Sequence, residues 1–103
     1  MKASEFCNDY ISNMLNGVFT FDSNYNLKYY KNIFYSYSMP ICKYTKEGEN
    51  HIFYMVDRDK SPSMTTSKHM TQLFFSIEKA KRNTENIIIE TVQEIQREQN
   101  NEQ

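Results

Sequence analysis

Side chains able to relay protons near neutral pH are few in this chain: two histidines, His51 and His69, and two cysteines, Cys7 and Cys42. A nucleophilic thiol needs a base within hydrogen-bond reach, and Cys42 with His51 across a hairpin is the one candidate pair. A metal site would have to collect His51, His69, Asp57 and Asp59. No spacing among them matches paired cysteines or two histidines one helical turn apart. With two glycines in all, the chain also lacks a glycine-rich loop for phosphates. These residues predict a protein that is not an enzyme, with no metal and no cofactor.

Two other groupings have chemistry to offer. Thr65, Thr66, Ser67, Lys68 and His69 combine hydroxyls, a cation and an imidazole at a predicted helix start, where free backbone N–H groups favour a phosphate or carboxylate. The plain structural alternative is that the hydroxyls cap the helix, as every helix start requires. Tyr29, Tyr30, Tyr35, Tyr37 and Tyr44 lie in a stretch with Lys28, Lys31 and Lys43. That composition suits base stacking and phosphate contact. The stretch holds no arginine and the pI is about 6.1, so the tyrosines read better as a protein-binding surface, where Tyr supplies large area at low entropic cost.

These residues need elements to hold them. Phe6, Tyr10, Ile11, Met14 and Leu15 recur at helical spacing behind a Ser4 cap, and Asn16-Gly17 ends that helix. Residues 18–21 read as a short strand stopped by a turn at Asp22-Ser23-Asn24. Residues 28–37 alternate as one long aromatic strand, and Pro40 marks an edge, a bulge or a break after it. Residues 41–45 and 51–56 flank a polar loop containing Gly48 and predict a hairpin. Thr65, Thr66 and Ser67 open a second helix with Met70, Leu73, Phe74 and Ile77 as its buried stripe. In residues 84–98 both helix and strand fit, and the Glu/Gln-rich flanks favour helix. The predicted fold class is α+β: an antiparallel sheet of three to four strands, with an N-terminal and a C-terminal helix packed on one face. Residues 1–98 make one domain and 99–103 a frayed polar tail.

Composition sets the outer bounds. The apolar share of 103 residues is 39%, but eight Tyr and seven Phe bury more area per residue than small aliphatics. Net charge is −1, with ten basic against five acidic side chains over 28–82 and acidic ends. Spread over that length, the imbalance reads first as internal neutralisation and second as a contact for an anionic partner. No apolar run reaches the ~18 residues of a membrane span, and the N-terminus lacks the apolar stretch of a signal peptide. Two isolated cysteines point to reduced thiols and a cytoplasmic location.

Ser36-Tyr37-Ser38-Met39-Pro40-Ile41-Cys42 and Thr65-Thr66-Ser67-Lys68-His69, followed by Gln72 and Phe74, resemble a family of small uncharacterised proteins of bacteriophages and other mobile elements. The resemblance covers about residues 34–75, and Cys42 stands where that family commonly has a small residue. It implies a phage-type protein acting inside a bacterial host and carries over no catalytic residue. The expected function is a binding protein that docks on a host protein and inhibits it, as an anti-CRISPR or other anti-defence factor does. The alternative is a nucleic-acid-binding accessory protein using the basic, tyrosine-rich region 28–82. A homodimer through an edge after Pro40, or through the Ile88, Val92 and Ile95 stripe, is a further expectation.

Overall fold

Phe6, Tyr10 and Met14 line one stripe of helix α1 (Ala3–Leu15), with Cys7 and Ile11 beside them, and all five are buried. The computed structural model describes residues 1–97. α1 starts at Ala3, so Ser4 lies inside the helix and does not cap it. Instead the Glu5 carboxylate accepts the Lys2 N–H at 3.1 Å, meeting one of the donors a helix start leaves over. At the other end Gly17 takes φ +73°, and the N–H groups of Gly17 and Val18 donate to the carbonyls of Met14 and Asn13. That closure needs left-handed backbone, which glycine adopts without strain.

Six strands form one sheet in chain order: β1 (Phe21–Asn24), β2 (Leu27–Tyr30), β3 (Ile33–Ser36), β4 (Met39–Glu47), β5 (Asn50–Val56) and β6 (Ile87–Val92). The first five pair antiparallel, and β6 pairs parallel to β5. The α+β class is as expected. The expected three or four antiparallel strands are corrected to six in a mixed sheet.

Most of that difference comes from tight turns without glycine. Residues 28–37 are two strands, split at Lys31-Asn32, and turns at Tyr25-Asn26 and Tyr37-Ser38 repeat the break. Each turn opens on left-handed backbone: Tyr25 at φ 58°, Lys31 at 57° and Tyr37 at 59°. Such a conformation costs a residue with a Cβ roughly 1–2 kcal/mol, so composition reads straight through it. Residues 18–20 are irregular, while Asp22, Ser23 and Asn24, expected as a turn, pair with Tyr29, Lys28 and Leu27. Pro40 stands opposite Tyr35 while Phe34 stands opposite Cys42, which leaves Ile41 as a bulge. Pro40 is therefore interior to the sheet, not at an edge. The β4–β5 hairpin closes at Gly48-Glu49, with Glu47 opposite Asn50.

Helix α2 (Met64–Lys81) carries the chain from β5 to β6. Its cap is Ser63, whose hydroxyl accepts the Thr66 N–H at 3.2 Å, so Thr65, Thr66 and Ser67 are first-turn residues. Met70, Leu73 and Ile77 are buried, but Phe74 lies off that stripe and is exposed. The helix favoured for 84–98 is corrected to strand β6. Asn86 turns the chain at φ 67°, the β-branched run Ile87-Ile88-Ile89 suits a pleated surface, and parallel pairing with β5 needs a crossover of this length. Ile88, Val92 and Ile95 accordingly form no helical stripe for a second copy; Val92 and Ile95 pack against the core. The expected fraying of 99–103 lies outside the described residues.

α1 and α2 cover one face of the sheet and share one core with it. The rings of Phe6, Tyr10, Tyr29 and Phe34 meet with centroids 5.0 to 6.4 Å apart. Residues 93–97 turn back over the opposite face, where the Arg97 guanidinium donates to the Ser38 carbonyl.

Candidate functional site

The five tyrosines expected to form one surface do not come together. Tyr29 and Tyr44 face the helices and are buried, and the Tyr29 hydroxyl accepts the Asn13 amide at 2.9 Å. Tyr35 is also buried, with the Lys28 ammonium 5.2 Å from its ring centre. Tyr30 and Tyr37 are exposed, but Tyr30 ends β2 and Tyr37 tips the β3–β4 turn, at opposite ends of the sheet. Alternation along a strand fixes this outcome: neighbours i and i+1 face opposite sides, so Tyr29 and Tyr30 cannot share a surface.

The Thr65–His69 run is a clasp between helix and sheet. Ser36 and Thr66 are buried, and the Ser36 hydroxyl lies 2.7 Å from His69 Nδ1 and 3.1 Å from the Thr66 hydroxyl. Thr66 in turn accepts from the Ser63 hydroxyl at 3.3 Å. Thr65 and Lys68 are exposed and Ser67 is half-exposed. Burial lowers the pKa of His69 below its ordinary 6.5, so the imidazole brings no charge to this end of the helix at neutral pH. Of the hydroxyls expected to hold an anion, that of Thr66 is spent on Ser36 and Ser63, while Thr65 and Ser67 reach the surface.

The thiol–imidazole pair is not assembled either. Cys42 stands opposite Met55 in the sheet, whereas His51 stands opposite Lys46. His51 Nδ1 is 2.7 Å from the Tyr44 hydroxyl. Desolvation first, and then the Lys46 ammonium, lower the pKa of His51. Burial pushes both thiols up to about 12. Among the described residues no three His, Cys, Asp or Glu side chains gather as a metal site requires.

What composition did not reveal is an aromatic edge. Val18, Phe19, Phe21 and Tyr30 are 43%, 49%, 60% and 40% exposed, too much for core residues. Phe21 and Tyr30 are cross-strand partners on one face, the Lys31 N–H donates to the Thr20 carbonyl at 2.9 Å, and the Lys31 ammonium lies 5.3 Å from the Tyr30 ring centre. Directly beside them is a groove of about 620 Å³ between the end of α1, the 17–20 loop, the β2–β3 turn and β4. Leu15 and Phe19 offer its accessible apolar surface, Met14 and Tyr44 close its floor, and Lys31 and Lys46 stand on its rim. Phe19 leans on Tyr44 with centroids 6.2 Å apart. The run 18–21 signalled this edge only as apolar residues beside a helix stop. An exposed Phe and a buried Phe look the same until the neighbouring strand is placed.

No helix among the described residues is long and apolar enough to cross a membrane. No curated protein and no solved structure matches the chain. A family model matches residues 4–90, a span that holds nearly all of α1, the whole of β1 to β5 and α2, and the first part of β6. The aromatic edge and its groove fall inside that span, and the chain belongs to a family of unknown function (DUF8033).

Proposed function

We propose that the protein works by docking on another protein, with Val18, Phe19, Phe21 and Tyr30 as its contact surface. The observation that carries this reading is their joint exposure at one edge of the sheet, in a fold that buries Phe6, Tyr10, Tyr29, Phe34, Tyr44 and Phe53. Clustered exposed apolar side chains mark an interaction surface, whereas single ones do not; here Phe19 leans on Tyr44 on the helix side of the edge, and the cross-strand partners Phe21 and Tyr30 face the other side. Aromatic side chains also match the composition of interface cores. In the setting that the phage-type resemblance implies, the partner is a protein of the bacterial host and docking inhibits it, as an anti-CRISPR does. A nucleic-acid accessory role through 28–82 has weaker support, because the rings of Tyr29, Tyr35 and Tyr44 are withheld from any base.

The test is affinity capture from a bacterial lysate, with and without nuclease, using the wild-type chain and a Phe21→Asp/Tyr30→Ala variant. Both residues are exposed, so the variant keeps its circular dichroism and melting transition. One host protein held by the wild type after nuclease at moderate salt, and lost with the variant, supports docking. Equal retention by the variant, or loss of every protein partner on nuclease treatment with a steep salt dependence, refutes it.

A further inference from the structure

The groove beside the aromatic edge has a charge to match as well as a shape. Lys31 and Lys46 line it and no carboxylate does, among the described residues. Lys46 has no hydrogen-bond or ion-pair partner among those residues, and its charge is felt by His51 opposite it. The C-terminal end of α1, where a helix carries about half a negative charge, borders the groove. Its Asn13 and Met14 carbonyls are already taken by the N–H groups of Val18 and Gly17, and the Lys46 ammonium outweighs half a charge. Of the other polar lining groups, the Asn32 amide donates to the Tyr44 carbonyl at 2.8 Å, the Asn16 amide donates to the Ser12 carbonyl at 2.8 Å and the Tyr44 hydroxyl meets His51, while the buried Thr45 hydroxyl has no hydrogen-bond partner among the described residues. What remains toward the groove is apolar surface from Leu15 and Phe19 under a positive rim. The groove thus selects by charge sign and apolar contact.

We infer that this groove receives an acidic segment of the partner protein, one in which an apolar side chain is flanked by carboxylates. The apolar side chain lies against Leu15 and Phe19, and a carboxylate meets Lys46, with Lys31 on the far rim. This inference rests on the docking reading and adds the chemistry of what is docked.

The test uses the full chain, labelled with nitrogen-15, and two blocked hexapeptides: a Phe-Leu centre between glutamates, and its twin with lysines in place of the glutamates. The acidic peptide should shift the amide resonances of Gly17, Phe19, Asn32 and Lys46, and bind about fivefold more tightly than the basic twin, the size expected of a rim charge pair. Lys46→Glu should reverse that preference, which a merely structural role for Lys46 would not do. Phe19→Ala should weaken both peptides. Equal binding of the two peptides, shifts confined to other surfaces, or an unchanged preference in Lys46→Glu would overturn the inference. If any of these is found while the lysate partner is still lost with Phe21→Asp/Tyr30→Ala, docking stands and only the acidic segment falls.

Discussion

Cys7 and Cys42, pushed up to about 12, are almost entirely thiols at pH 8, and both are buried in the core that α1 shares with the sheet. Since the thiolate is the reactive form, a disulfide reagent should release no colour from the native protein on the minute scale, then two equivalents on addition of urea. Fast reaction of one thiol in the folded state would contradict the burial. The histidines predict a pH effect of definite sign. Their folded pKa values lie below the ordinary 6.5, so the unfolded chain takes up protons first as the pH drops. The stabilising neutral form is fully present above about 6.5, and stability falls as pH falls through that value. Urea midpoints should therefore decline between about pH 7 and 5, and His69→Gln should flatten the decline. At this scale the sequence shows how few histidines and cysteines there are, and only the fold shows what surrounds them. The sequence cannot say which tyrosines are wet, because Tyr serves a core and an interface equally well and only strand register separates Tyr29 from Tyr30.

Among the elements, the ones with a local signature were legible. α1 has a clean apolar stripe and a Gly17 stop, and the β4–β5 hairpin has its Gly48 turn. Neither the β2–β3 break nor β6 was. Lys31-Asn32 is not a turn pair by composition, and β6 owes its strand state to β5, a partner about 30 residues away in the chain. The turn and cap geometries give two opposite predictions. Gly17→Ala meets no atom within 4 Å, so its cost is purely that of left-handed backbone, about 1 kcal/mol. Tyr25→Asn, at an exposed turn tip with φ 58°, should stabilise by about 0.5 kcal/mol, since Asn tolerates that conformation. Thermal melts read both. A stability gain from Gly17→Ala would mean that the closure of α1 is not as described.

Taken whole, the molecule offsets a modest apolar share with rings. Phe34 contacts Phe6, Tyr10 and Tyr29 at once, so Phe34→Ala should cost about 3–5 kcal/mol, a large part of the total stability of a domain this size. The two ends of the sheet are anchored unequally. β5 and β6 are bound together by six paired positions and by α2 spanning between them, whereas β1 is held by four pairs to β2 and by the Asn24 amide donating to the Met1 carbonyl. In terms of amide hydrogen exchange, β1 belongs to the part of the fold that opens at low free energy, and β5–β6 to the part that opens only with global unfolding. The docking edge thus sits on the fast-exchanging side. A partner that binds closed β1 but not opened β1 slows exchange there in proportion to its occupancy, so the clock of a few β1 and β2 amides reports the edge being filled before the partner itself has a name.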